Sequence, residues 1–142
     1  MKHKNQYIAI PKVSSQNRRY IPMDYLDGEI IPGDKLFTMP NASFYEFGVL
    51  MSNVHMAWMR AVCGRLKSDY SYSNTIVYNN FPWPVVTEKN REQIEKSAQE
   101  ILKARTLYPS SNLAALYDPL TMPAELRRDI LQMISCYGCV WL

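Results

Sequence analysis

No stretch of this 142-residue chain approaches the ~20 consecutive apolar residues that a bilayer-spanning helix needs, and Met1-Lys2-His3-Lys4 leads into no apolar signal core. A membrane span is excluded on that count, and a cytoplasmic location is expected. Cysteine is scarce: three residues, an odd number, argue for reduced thiols. Cys63 falls in an apolar segment and reads as a core filler. Cys136 and Cys139 make a Cys-x-x-Cys, but no second Cys or His pair completes a four-ligand zinc site, and no strand-helix-strand pattern surrounds it as in redox motifs. With only His3 and His55, general-base catalysis has few candidates. Phosphate-cradling glycine loops, a His-Glu-x-x-His helix and a calcium-binding loop are all missing. Nothing in this inventory assembles an active site, and no metal is expected.

What is present is ordinary for a folded protein. Apolar residues make up 47% and charged residues 20%, enough for one compact core and no second full domain. The net charge of +3 is unevenly placed: residues 1–86 hold nine Lys/Arg against six Asp/Glu, and residues 87–142 hold seven against seven. Contact with a polyanion therefore belongs in the first part. An excess this small does not by itself identify nucleic acid as the partner.

Pro11, Pro22, Pro32 and Pro40 cut the start of the chain into short pieces. Apolar runs at 6–10 and 35–39 read as strands, with turns at Asp27-Gly28 and Pro32-Gly33-Asp34. Between 43 and 66 the period becomes helical: Leu50, Val54, Trp58, Ala61 and Val62 share one face. Val49, Met51, Met56, Ala57, Met59 and Cys63 fill most of the remaining circumference, which predicts a core helix buried on nearly all sides. Gly48 and Ser52-Asn53 are placed to divide it, with Ser52 capping the second half, and Gly64 suits the C-terminal cap. Segment 67–74 reads as a loop or edge strand, and Thr75-Ile76-Val77-Tyr78 as a short β-prone run. Pro82 and Pro84 force Phe81 and Trp83 into a stiff extended connector.

A charged helix is predicted from Thr87, with Glu88 in its first turn and Ile94, Ala98, Ile101, Leu102 and Arg105 on its pattern, ending at Leu107-Tyr108-Pro109. A brief helix over 112–117 follows, then a last one starting at Pro123 with the stripe Leu126, Ile130, Leu131 and Ile134. The predicted fold is α+β. A small strand-rich part packs on a buried core helix within 1–86, and a C-terminal helical appendage occupies 87–142.

Arg60, Arg65 and Lys67 cluster where the core helix ends. They suit a helix C-terminus, worth ~0.3–1 kcal/mol each. They equally suit phosphate or guanine, because Arg offers two parallel donors to a base edge or phosphate. Residue chemistry leaves both readings open. His55 reads either as a core histidine bonded to a backbone carbonyl or as the group that positions the polar segment 67–74.

The order of these features is more specific than any one of them. Ser52-Asn53-Val54-His55-Met56-Ala57-Trp58-Met59-Arg60-Ala61-Val62-Cys63-Gly64-Arg65-Leu66-Lys67-Ser68-Asp69-Tyr70-Ser71-Tyr72-Ser73, followed by Tyr78-Asn79-Asn80-Phe81-Pro82-Trp83-Pro84, closely resembles the target-recognition region of the MmeI-like enzymes. These are fused type II restriction and adenine-specific DNA methyltransferase proteins. The likeness extends more loosely from about Gln6 to about Arg127 and fades from Asp129, so the chain is expected to be a fragment or truncated end of a longer enzyme.

The resemblance implies that the segment after the core helix selects the DNA site through Arg65, Lys67, Ser68, Asp69, Ser71, Tyr72 and Asn74. Asp69 would accept from a cytosine amine, Asn74 would pair with adenine, and Lys67 would contact guanine or a phosphate. Lys12, Arg18 and Arg19 match a basic strand-loop region suited to phosphate, or else form a solvated loop. Phe81 and Trp83 are expected to pin the C-terminal helices onto the recognition core rather than to stack on bases. The Asn/Asp-Pro-Pro-Tyr/Phe tetrad that holds a flipped adenine does not occur, Asp118-Pro119-Leu120 being different. The nuclease and methyltransferase domains, and with them S-adenosylmethionine, are therefore expected upstream as partners, and this chain is expected to hold no cofactor and perform no catalysis. The competing reading is a helical subunit-docking domain whose basic cluster serves only solubility. Steep salt dependence would separate the two.

Overall fold

The computed structural model describes residues 6–130. Four strands open the chain: β1 (Gln6–Pro11), β2 (Val13–Ser14), β3 (Asp24–Asp27) and β4 (Leu36–Pro40). β1 is the middle strand of an antiparallel sheet ordered β3-β1-β4, with Ile8 opposite both Tyr25 and Met39. Its unbroken apolar run follows from that place, since Tyr7, Ile8, Ala9 and Ile10 are all buried. Both expected turns close: Ile30 N–H donates to the Asp27 carbonyl at 2.9 Å and Leu36 N–H to the Gly33 carbonyl at 3.3 Å. The chain leaves this sheet at Lys12. Its N–H donates to the Lys35 carbonyl at 3.0 Å, while its own carbonyl accepts from Tyr72 N–H at 2.7 Å. Beyond that corner β2 becomes the edge of a second antiparallel sheet, ordered β2-β6-β5 and completed by β5 (Gly64–Leu66) and β6 (Asp69–Ser71).

The apolar run that reads as one buried helix is two helices of different character. In α1 (Phe44–Leu50), Tyr45, Phe47, Gly48, Val49 and Leu50 are buried. Ser52 then caps α2 (Asn53–Val62) as expected, its oxygen accepting from His55 N–H at 3.2 Å while its hydroxyl donates to the Val49 carbonyl at 2.6 Å. The expectation of burial on all sides fails for α2. His55, Met56 and Met59 are buried, Ala57 and Ala61 are exposed, and Val54, Trp58 and Val62 are half-buried. The buried line is rotated away from Val54, Trp58 and Ala61, because a helix apolar on two faces does not announce which one the tertiary core will cover. Gly64 is not a left-handed cap either. Cys63 is extended (φ −69°, ψ 156°) and runs straight into β5, so the turn glycine provides is not required.

The β-prone run is a further correction. Residues Asn74–Tyr78 form a single π-helical turn, with Tyr78 N–H donating to the Ser73 carbonyl at 3.3 Å and Asn79 N–H to the Asn74 carbonyl at 2.8 Å. Side chains satisfy the carbonyls that a strand partner would otherwise meet. Asn80 Nδ2 donates to the Thr75 and Ile76 carbonyls, each at 3.1 Å, and Trp58 Nε1 donates to that of Val77 at 3.0 Å.

The C-terminal helical part shares the core of the strand-rich part. α3 (Glu88–Thr106) starts at its cap Thr87 and packs along α1 so closely that a Cβ on Gly48 would lie 2.8 Å from Ile94 Cγ2 and 3.1 Å from the Ile94 carbonyl. Ile94, Ala98 and Ile101 join Phe47 and Leu50 in one cluster. α4 (Leu113–Leu116) is capped by Asn112, and a further helix, α5, begins at 124 and places Leu126 and Ile130 in the same core. Leu131 and Ile134 of its expected stripe lie outside the described residues, as do His3, Cys136 and Cys139.

Arg105 clasps the parts together. Its Nε and Nη2 donate to the Tyr117 hydroxyl at 3.0 and 2.5 Å, and its Nη1 to Asp24 on β3 at 3.2 Å. Phe81 and Trp83 are also set as pins: Phe81 meets His55, Trp58 and Trp83, and Trp83 meets Tyr45 and Tyr78. Among the described residues, no helix is long and apolar enough to cross a membrane.

Candidate nucleic-acid interface

The polar segment after α2 is a hairpin that presents its tip to solvent. β5 and β6 are joined by Lys67-Ser68, with Leu66 paired to Asp69 and Arg65 to Tyr70. Lys67 sits at φ 57°, a left-handed conformation uncommon for a residue with a Cβ. Arg65 anchors the tip: its Nη1 donates to the Ser68 carbonyl at 2.9 Å and its guanidinium lies 4.2 Å from the Tyr70 ring centre. Ser68 is exposed and Ser71 half-buried beside Gly64. Asn74 is exposed at the start of the π turn.

The structure joins this hairpin to a region fifty residues earlier. Asp69 Oδ1 accepts from Gln16 N–H at 3.3 Å, holding the 15–18 turn against β6. That turn leads into Arg18 and Arg19. Arg60, from the last turn of α2, donates to the Arg19 carbonyl at 2.6 Å, and the Arg19 guanidinium lies 5.7 Å from the Tyr20 ring centre. Lys12, at the sheet corner, places Nζ 4.9 Å from the Phe37 ring centre. Lys12, Arg18, Arg19, Arg60, Arg65 and Lys67 thus all belong to the second sheet, its corner or the segments tied to it.

Their partners decide what this cluster can do. Among the described residues, the ion pairs are Arg105 with Asp24 and Arg128 with Asp129, so none of the six cations is neutralised by a carboxylate. Carbonyls and ring faces fix Arg19, Arg60 and Arg65 in place yet leave their charge uncompensated, which is the condition for attracting a polyanion. This also moves Arg65 away from a helix-dipole role, while Arg60 keeps its place in the last turn of α2. Arg65 lies past the helix end, in β5, and Arg60 points to another segment.

Tyr72 corrects the grouping made from the resemblance. It is 3% exposed, with its hydroxyl 3.0 Å from His55 Nε2, and so faces the core rather than a ligand. His55 is buried, but bonds Tyr72 rather than a backbone carbonyl. Burial alone pushes the His55 pKa down to about 4, keeping the ring neutral. Burial also raises the Tyr72 hydroxyl above its ordinary range. Sequence reasoning missed Gln16, which only tertiary contact identifies, and Arg127. Arg127, with Arg19 and Arg60, acts electrostatically on the Tyr20 hydroxyl, whose pKa burial nonetheless raises. The balanced charge of residues 87–142 gave no reason to single Arg127 out.

The sequence matches the family described as MmeI, target recognition domain, over residues 1–85, and that described as MmeI, C-terminal domain, over residues 86–131. The chain belongs to the MmeI target recognition family. It is 43% identical over 123 residues to DNA methyltransferase A of Bacillus subtilis (strain 168), covering 87% of this chain and 14% of that protein. It is also similar to a solved structure of the type IIL restriction-modification enzyme MmeI in complex with DNA, with a TM-score of 0.94 and 42% identity over 99% of this chain and 19% of that one. The chain therefore spans less than a fifth of either relative.

Proposed function

We propose that this chain reads duplex DNA for a restriction-modification enzyme and positions the site for an adenine methyltransferase, carried with a nuclease elsewhere in the parent protein. S-adenosylmethionine would be bound by that methyltransferase. The observation that carries this reading is the set of six cations on the second sheet and its tied segments: carbonyls or rings orient Lys12, Arg19, Arg60 and Arg65, and among the described residues none of the six pairs with a carboxylate. Lys12, Arg18, Arg19 and Arg60 hold phosphates and set the register on the duplex. The hairpin tip supplies base contacts: Lys67 donates to guanine or a nearby phosphate, and Asp69 accepts from a cytosine amine. Ser68, Ser71 and Asn74 complete the surface, with Asn74 suited to adenine. Tyr72 supports the strip from beneath. The relative solved with DNA supports a nucleic-acid partner for this fold.

Exchange of Lys67 and Asp69 in the parent protein tests this directly. The expected outcome is methylation at a changed or relaxed site, read by sequencing modified DNA, with little change in thermal midpoint. Unchanged site choice would refute the reading. In parallel, each cation replaced by Ala should lower the slope of log affinity against log salt by about 1.

A further inference from the structure

A polar contact beneath the strip is used by none of the DNA-facing residues. His55 is fully buried, and its Nε2 lies 3.0 Å from the hydroxyl of Tyr72. Phe81 meets the imidazole edge-on at 4.6 Å, and Ser52 fixes the His55 backbone N–H. The other ring nitrogen, Nδ1, is buried without a partner. Either tautomer leaves it unmet, as a donor or as an acceptor, at a cost of roughly 1–3 kcal/mol. An apolar side chain of the same size would avoid that cost, so what distinguishes histidine here is the single bond to Tyr72.

Tyr72 is where that bond has leverage. It directly follows β6, between Ser71 and Asn74, and its N–H donates at 2.7 Å to the Lys12 carbonyl at the corner where the two sheets meet. Its ring packs on Phe37 of β4, centres 6.3 Å apart. Ring packing alone resists lifting of the strip but tolerates sliding. A directional bond to a helix residue resists sliding too, because hydrogen bonds weaken steeply off axis.

We propose that His55 and Tyr72 are a positioning couple that fixes the recognition strip relative to α2, so that base choice depends on two residues that touch no DNA. This rests on the DNA-reading function proposed above. The test places Tyr72→Phe, His55→Leu, His55→Gln and the double variant His55→Leu/Tyr72→Phe in the longer protein that carries this chain, beside Lys67→Ala/Asp69→Ala. Methylation is measured at the recognised site and at sites differing by one base pair, along with thermal midpoint and affinity for random duplex.

Tyr72→Phe and His55→Leu should lower discrimination about tenfold, the scale of one base contact put out of register, while random-duplex affinity stays within about twofold. His55→Gln, whose amide still bonds the hydroxyl, should retain discrimination. The apolar double variant should recover thermal midpoint without recovering discrimination, which a merely structural pair would not do. Unchanged discrimination in Tyr72→Phe, or discrimination that tracks thermal midpoint across the set, overturns the couple. If Tyr72→Phe does not fold, equal discrimination in His55→Gln and His55→Leu overturns it instead. Should Lys67→Ala/Asp69→Ala also leave discrimination intact, the DNA-reading function itself falls. If that variant relaxes site choice and Tyr72→Phe does not, only the couple falls.

Discussion

α1 and the β5-β6 hairpin lie on either side of α2 in the chain and have opposite relations to solvent. In α1 five of seven residues are buried, and Gly48 leaves no room for a methyl group against Ile94. In β5 all three residues are exposed, and the hairpin tip carries Lys67 and Ser68 into solvent. One region is fixed by packing at near-crystalline density, where every atom removed leaves a void. The other is fixed by backbone pairing and a few polar tethers, so its outward side chains can change identity with little consequence for the fold. That freedom is what a surface that selects among DNA sequences needs.

This contrast can be broken at its deepest point first. Phe47→Ala removes a fully buried ring from the centre of the α1 packing and should cost about 3–5 kcal/mol by chemical denaturation. A loss under about 1 kcal/mol would show that the interior is not the rigid half of the comparison.

Acidification probes the layer between the two regions. His55 is neutral in the fold, with its pKa lowered to about 4, whereas the unfolded chain protonates near 6.5. The unfolded state therefore binds the extra proton in that window, and stability should fall as pH drops from about 6.5 to 4, by about 3 kcal/mol in all. Above 6.5 this group should give no pH dependence. His55→Gln should remove the slope, and an unaltered slope in that variant would assign it to other groups.

Trp83→Ala tests the connector. The ring is half-buried against Tyr45, Tyr78 and Phe81, and its loss should lower stability by about 2 kcal/mol with little effect on DNA affinity. The reverse pattern would make it a base-stacking platform. At the exposed end, Lys67→Ala with Asp69→Ala should change stability by no more than about 0.5 kcal/mol. A larger loss would mean that the Asp69 tether to Gln16 carries part of the fold.

Much of the architecture is legible along the chain. β1, β4, the Ser52, Thr87 and Asn112 caps and the extent of α3 are local features, set by apolar runs, turn residues and capping side chains a few positions apart. β5 is not legible, because Gly64, Arg65 and Leu66 are all exposed and show no inward periodicity; their strand exists through pairing with β6. Asn74–Tyr78 misleads because β-propensity reflects fit to a pleated surface, and here Asn80 and Trp58 offer the backbone different partners. Tyr72 alternates with Tyr70 among polar residues and looks surface-exposed; the partners that bury it, His55 and Phe37, come from distant segments.

By itself, the order of residues determined the α+β class, the division into strand-rich and helical parts, and the family signature with its basic and amide side chains, because these depend on near neighbours and on residue identity. Tertiary structure alone decided which face of α2 is buried, that Asp69 holds the turn leading into Arg18 and Arg19 beside the hairpin, and that the six cations pair with no carboxylate among the described residues. Those outcomes depend on contacts between segments tens of residues apart, and one-dimensional periodicity carries no term for them.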